Sequence, residues 1–561
     1  MKKRALSAIL VLSAALSLTA CSSGSSKNSK TSSTKISGDL PFGKFSKPVK
    51  VHVGLSVDPS DKTLPKGDTA GKNQYTRYLK DKYNINVVVD WTAATGNDFN
   101  QKVSLSIASG NLPDGMVVSD RTYMTKAASS GLLYDITDLF KKYSSEQVKE
   151  IMDSTKGRAM DNASYNGKMY SLPNVTADAD GAHVMWIRKD WLDKLKMSVP
   201  KNLDEIEKVA NAFVKNKMAG KNTIGIAGPS KNTKPYCTFL TSSNNVGGFD
   251  PVFGALDAYP GYWLDNGDGT ASYGTLSDNT KKSLEVLTKW YKEGIIDPEM
   301  GIRDNVSDPI NANQAGIFFG PWWAGGYGNG DSFKNDPKAN WQAYPVYTND
   351  GKWNVHMKTT GTTYTVISKK ANEDAAKAII IMNNALVRDE STFDTSVAIS
   401  WYPLRNVMAA ANECEYENAE LHKVLEGKSK PNDYNKPGNL YKNMYSDATK
   451  VKNVIKPPYN NLNISNFSTK NFGDFQRMFS IMVGDRPFTY THIDKKIYSI
   501  TYSQTATMDS KWANLQKLED ETVLKIIFGK KPISYFDTFV KSWKSQGGDE
   551  ITAEVQKLLK K

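Results

Sequence analysis

The sequence predicts an α/β fold in two lobes, with mainly parallel sheets flanked by helices. Three observations lead there. The chain has 561 residues, more than one compact core holds. Short apolar runs with period-two alternation recur between stretches of helical periodicity, the pattern of strand–helix–strand units. No internal repeat competes with that reading.

The elements follow in order. Val49, Val51, Val53 and Leu55 alternate with Lys50, His52 and Gly54, a strand. Tyr75, Tyr78 and Leu79 suit a helix, and Ile85, Val87, Val88 and Val89 a buried strand. Phe99, Val103 and Ile107 share a helix face, and Met116-Val117-Val118 make a third strand. Asn202 with Glu205 reads as a helix N-cap and capping box, followed by Ile206, Val209, Ala210 and Phe213 on one face. Leu284, Leu287 and Tyr291 do likewise, closed by Gly294. Asp265-Asn266-Gly267-Asp268-Gly269 reads as a hairpin turn, since Leu276 stands where a calcium loop needs its distal glutamate. Phe536, Phe539, Val540 and Trp543 read as helix packing.

Composition narrows the function. With 39% hydrophobic and 11% aromatic residues, the chain is neither disordered nor a polytopic membrane protein. Three cysteines (Cys21, Cys237, Cys414) exclude a disulfide framework and a CxxC zinc site. Both a Cys237–Cys414 pair and two free thiols fit. Five scattered histidines form no HExxH or HxH pair, so neither a metal nor a cofactor is expected. Lys+Arg 72 against Asp+Glu 59 gives +13, spread without a basic run. That suits a solvated surface near an anionic envelope, and no nucleic-acid module appears.

The first twenty residues are a leader, not fold. Lys2-Lys3-Arg4 precede an apolar stretch from Ala5 to Leu18, too short to span a bilayer. Leu18-Thr19-Ala20-Cys21 resembles a bacterial lipobox, which implies cleavage before Cys21 and lipidation of its thiol. Cleavage takes the net charge from +13 to +10. Residues 21–48 then read as a lipid-anchored flexible linker rich in Ser, Lys and Thr.

Five further segments resemble one family. They are Ala108-Ser109-Gly110-Asn111-Leu112-Pro113-Asp114, Asn166–Pro173, Ile187–Leu195, Trp290–Pro298 and Gly547–Ile551. Together they are similar to elements of extracellular solute-binding proteins of family 1, in its lipoprotein branch, related to maltose-binding proteins. The resemblance implies a type II, Venus-flytrap receptor of an ABC importer, with ligand held between lobes and three chain crossings. By analogy the crossings fall near 182–187, 355–363 and 400. Lobe 1 is then 49–184 with 360–400, and lobe 2 is 185–359 with 401–561. The calcium-like loop of that branch is replaced here by 214–222, where lysines stand for carboxylates, so calcium is not carried over.

The resemblance also implies a carbohydrate, an oligosaccharide, as ligand, with permease subunits as partners. It places a monomeric lipoprotein on the outer face of a Gram-positive cell membrane. A sugar needs flat aromatic surface for its C–H face and fork-like polar groups for its hydroxyls. Trp322 and Trp323, after the Gly320-Pro321 break, are similar to the stacking tryptophans of maltose-binding relatives. Ser119, Asp120 and Arg121 end the third strand, the ligand side of a parallel sheet. His183 and Trp186 flank the first crossing; Asp58 ends the first strand; Trp401 and Arg405 sit near the third crossing. Tyr262 and Trp263 are lesser candidates. Arg121 or Arg405 would pair with the carboxylate of a uronic acid. Each of these has a packing alternative.

No G-x-S-x-G elbow, P-loop or HExxH is present, so an enzyme is not expected. A receptor for peptide or another non-sugar solute, or a glycan adhesin or sensor, fits the same fold.

Overall fold

The computed structural model describes residues 34–560 except 232, 242–244, 395 and 437. The leader, Cys21 and its lipidation lie outside the described residues. Nine strands build two main sheets: β1 Val49–Val57, β2 Ile85–Ala94, β3 Gly115–Val118, β4 Ser171–Pro173, β5 Val184–Arg188, β6 Ile224–Ile226, β7 Ala315–Gly320, β8 Trp341–Tyr344 and β9 Tyr364–Ile367. The helices that matter are α1 Gln74–Tyr83, α2 Asn97–Ser109, α3 Arg121–Ser129, α4 Leu203–Lys215, α5 Asp278–Lys292, α6 Glu373–Asp389, α7 Glu413–Leu425, α8 Phe472–Phe479, α9 Met508–Ile527 and α10 Tyr535–Trp543.

The first sheet has the order β2-β1-β3-β9-β4. β1 is parallel to β2 and β3, while β9 is antiparallel to β3 and β4. The second sheet has the order β6-β7-β5-β8, with β6 and β7 parallel and β5 antiparallel to β7 and β8. The expected parallel pairing thus holds where helices cross over within a lobe. It reverses at β5 and β9, the strands by which the chain enters a lobe from its neighbour. No right-handed crossover fixes their direction.

Alternation sorts each strand's residues between two cores. In β1, Val49, Val51 and Val53 are buried under α6 and α1. β2 is an edge strand, so Val87, Val88 and Val89 are only half-buried rather than fully so. In β5, Met185 and Ile187 join one core and Val184 and Trp186 another, and both faces of the second sheet are covered. The C-terminal helices α9 and α10 cover the first of these faces with Trp512, Phe536, Phe539 and Trp543. Helices α7 and α8 cover the other with Leu421 and Phe475. The N-cap at Asn202 forms as expected, its Oδ1 accepting from Glu205 N at 3.0 Å. Glu205 returns to Lys201 N rather than to the cap residue. Gly294 closes α5 at φ 73°, and the 265–269 segment is a hairpin turn between Trp263–Asp265 and Ala271–Tyr273. Cys237 and Cys414 are both buried and free.

Two expectations are corrected. Residues 34–48 are not a free tether. Ile36–Ser37 pairs with Lys44–Phe45, Phe45 is buried in the first core, and Asn384 of α6 donates to Pro41 O at 2.8 Å. Apolar Ile36, Phe42 and Phe45 within the polar run give that segment something to bury. The third crossing also falls later than 400: Tyr402, Leu404 and Met408 pack in the first core, and the second begins with Cys414.

The crossings run side by side. Asn174 N donates to Thr363 O and Thr363 N to Asn174 Oδ1, at 2.9 and 2.7 Å. Thr176 N donates to Thr360 O at 2.9 Å. On the other flank Val175 N donates to Val407 O, Ala409 N to Val175 O and Asp178 N to Ala411 O. The first crossing, expected near 182–187, is thus segment 174–183, the middle ribbon of three, because Val184–Arg188 already belongs to the second sheet. Asp180 on it accepts from Trp322 Nε1 at 2.7 Å and from Lys358 Nζ at 3.2 Å.

Two measurements test this hinge. A Cβ at Gly361 would stand 1.9 Å from Asn174 O, so Gly361→Ala forces two crossings apart. A loss of about 1–3 kcal/mol in a denaturant titration is expected. Glu413, at the far end of the third crossing, is pushed up to about 7 by burial, against Lys442 and Arg477 and alongside Asp180. Its native value exceeds the unfolded one, so the native state binds the proton more tightly between about pH 4.5 and 7. Stability should therefore fall as pH rises through that window, by on the order of 3 kcal/mol. Glu413→Gln should flatten that part of the melting-temperature profile and raise the midpoint at pH 7.5.

Candidate functional site

The carboxyl ends of β1 and β3 open on a cavity of about 440 Å³ in the first lobe. This is the edge of a parallel sheet where ligands are held, because the strand ends leave loops and helix starts facing one crevice. Asp58, Asn100, Ser119, Thr363, Ser400 and Arg405 supply its polar lining, and Leu55, Phe99, Tyr402 and Leu404 its apolar part. Three residues expected from the sequence therefore meet here: Asp58, Ser119 and Arg405.

Their bonding differs. Asp58 accepts from the backbone and hydroxyl of Ser60 at 2.8 and 2.7 Å, which holds its exposed carboxyl below the usual range. Ser119 Oγ donates to Asn100 Oδ1 at 2.7 Å, which leaves the Asn100 amide nitrogen as the pair's donor end. Arg405 approaches Glu390 at 3.6 Å through Nη2, and its Nε is buried without a hydrogen-bond partner among the described residues. Glu390 in turn is held low by Lys442 and Arg405 against the cost of its burial. The arrangement presents a carboxylate, an amide and a guanidinium with spare bonding capacity around one apolar-floored space.

Trp401 is half-buried and packs on the first core beside this cavity, without lining it. Asp120 and Arg121 lie outside this cavity and are held by local bonds. Asp120 is the N-cap of α3, accepting from Thr122 N and Tyr123 N. The Arg121 guanidinium donates to the carbonyls of Asn162, Asp161 and Ser164 at 3.2, 3.2 and 2.9 Å. That clamp consumes its fork, and burial lowers its pKa. Arg121 borders a different space, about 640 Å³, between α3 and the Ile500–Ala506 segment.

Of the two tryptophans expected to stack, Trp322 is packed and Trp323 keeps an open face. Trp322 is 8% exposed and packs in the second lobe, its ring nitrogen bound to Asp180 of the hinge. Trp186 is fully buried, stacked on Phe318 at 6.0 Å and donating to Pro321 O at 3.1 Å. Gly325 and Gly484 leave room for the Trp186 ring, which a Cβ would meet at 2.3 and 3.1 Å, and Gly484 also passes the Trp322 carbonyl. Trp323, half-buried on the same loop, keeps part of its ring open. Trp263 is core, and Tyr262 lies 5.0 Å from the ring of His356. His183 is buried, its Nδ1 3.1 Å from Asp250 Oδ2. Asn100 and Thr363 were invisible in the sequence: one lies mid-helix in α2, the other in a crossing, and neither stands in a motif.

Comparison with known proteins fits this architecture. The chain is 28% identical over 226 residues to the fructooligosaccharide ABC transporter substrate-binding protein FusA of Streptococcus pneumoniae. That match takes in 38% of this chain and 40% of the relative. It is 24% identical over 227 residues to the polygalacturonan/rhamnogalacturonan-binding protein YtcQ of Bacillus subtilis, across 39% of this chain and 41% of the relative. The chain thus aligns with about two-fifths of the length of the curated relatives it matches. In fold it is similar to an HMO-binding, ABC-transporter-associated solute-binding protein of Bifidobacterium longum infantis, at a TM-score of 0.58 and 15% identity over 92% of this chain and 99% of that one. The sequence profile of bacterial extracellular solute-binding proteins matches residues 62–382, more than half of the chain and through two of the three hinge crossings. With two lobes, a three-ribbon hinge and a polar cavity at the strand ends, the chain belongs to the bacterial extracellular solute-binding protein family.

Proposed function

We propose that this protein captures an oligosaccharide between its lobes and delivers it to the permease of an ABC importer, while Cys21 anchors it to the outer face of the membrane. The observation that carries this reading is the first-lobe cavity, where a carboxylate, an amide and a partly unpaired guanidinium surround an apolar floor. Sugar hydroxyls are met by such forks and sugar C–H faces by apolar rings. The family and the sugar-binding names of FusA and YtcQ support the same class of ligand. In this reading Trp323 is the stacking ring that lobe closure brings over the cavity. Trp322 serves closure indirectly, by tying the second lobe to Asp180.

Titration calorimetry against fructo-oligosaccharides, pectic oligosaccharides, milk-type oligosaccharides and short peptides tests the proposal. One glycan class should bind with micromolar or tighter affinity, about 8 kcal/mol. Arg405→Ala and Asn100→Ala should each weaken that binding about 10- to 100-fold with little change in melting temperature. Trp322→Ala should instead lower the melting temperature, because a buried, hydrogen-bonded ring is lost. Binding to peptides alone, or hydrolysis of a glycan by the pure protein, would replace the sugar-receptor reading.

For the anchor, Cys21→Ser should release the protein from the cell surface into the medium in fractionated cultures. A variant that stays in the membrane fraction would remove the lipoprotein assignment.

A further inference from the structure

Four side chains from distant parts of the sequence meet at the second-lobe end of the hinge. His183 closes the first crossing and His356 precedes the second, on the strand Asn354–Met357. Asp250 opens the short helix Asp250–Ala255, and Cys237 lies in the loop before it. All four are buried. Asp250 is the centre: its carboxylate oxygens lie 3.1 Å from His183 Nδ1, 3.7 Å from Cys237 Sγ and 3.4 Å from His356 Nε2. The donor atoms of His183, Cys237 and Asp250 all fall within 4.8 Å of one another.

Packing alone does not account for the cluster. His356 is 7% exposed, yet its Nε2 has no hydrogen-bond partner among the described residues. A small cavity of about 10 Å³ lies between His183, Asp250 and His356, the scale of a single ion or water. Ligands at metal–donor distances of 2.0–2.3 Å around a tetrahedral ion stand about 3.3–3.8 Å apart, and Asp250 lies 3.1, 3.4 and 3.7 Å from the donor atoms of His183, His356 and Cys237. Charge also balances. A thiolate and a carboxylate neutralise a dication, and two neutral imidazoles complete four donors, so no net charge is left buried. Cys237 N donates to Asp250 Oδ1 at 2.8 Å, which orients the carboxylate, as outer contacts do for metal ligands.

We propose that His183, Cys237, Asp250 and His356 form a structural site for a zinc-class divalent ion. The mixed nitrogen, sulfur and oxygen set favours zinc over the hard cations calcium and magnesium, which take oxygen alone. The ion joins the end of the first crossing to the start of the second through the second lobe's own loop and helix. It is a clamp at the base of the hinge, away from the first-lobe cavity.

Protein grown with added zinc, desalted and analysed for metal should hold about one zinc per chain. Cys237→Ser and His356→Gln, checked for native circular dichroism, should each lose it, with affinity down about 100-fold or more. Protein grown with cobalt gives a readout that needs no variant: a thiolate-to-cobalt charge-transfer band in the near ultraviolet. Wild-type protein with clearly less than stoichiometric zinc and no such band overturns the proposal. So does zinc retained undiminished in both variants.

Discussion

The hydrogen bonds along segment 174–183 hold the molecule's organisation together. This ribbon bonds to the second crossing through Asn174 and Thr176, and to the third through Val175 and Asp178. Each lobe has its own cores, and these bonds tie the three crossings between them together, alongside side-chain contacts such as Lys126–Asp509 and Gln147–Asn439. The ribbon is closely flanked at its start, where Gly361 has no room for a side chain against Asn174. Asp180 adds a charge-assisted tie to Lys358 and to the Trp322 loop.

Much of the fold was legible because its signals are local. Period-two alternation at 49–55 and helical spacing at 99–107, 206–213 and 284–291 each reflect one element burying one face. Strand direction was less legible, because β5 and β9 take their orientation from the hinge and not from a crossover helix. The reach of the first core to Met408, beyond α6, was hidden for a similar reason: Tyr402 and Leu404 are isolated apolar residues in an irregular segment. In the site, residues at strand ends could be found by their position, hence Asp58 and Ser119. Roles could not. Arg121 looks like a free cation in sequence and is spent on three carbonyls. Trp322 looks like an exposed ring after a Gly-Pro break and is packed. Burial of a loop residue depends on what long-range neighbours cover it, here the α8 region, and no local pattern encodes that.

The two lobes also divide their electrostatics. Around the first-lobe cavity, charged groups are open to solvent or hold a partner at some distance, so a polar ligand can compete for them. Behind Trp322, the carboxyls of Glu413, Glu417 and Asp485 are buried together with Arg477, and desolvation raises all three. Arg477 offsets part of that buried charge by pairing with Glu417 and Asp447. The proposed recognition cavity thus sits on the side where solvation is retained, and the raised carboxyls lie where the third ribbon enters the second lobe.

The late return of the chain has a consequence for how such a protein can diversify. The first core is closed by α6 and by residues up to Met408, after the chain has already traversed the second lobe. The second core is closed on both faces by chain beyond Cys414. Neither lobe is a contiguous stretch of gene, and no single breakpoint yields a part with a complete interior. Recombination that swaps whole lobes between paralogues is therefore barred by topology. Point substitution around the proposed strand-end cavity is the route to a new ligand preference that leaves these shared interiors intact.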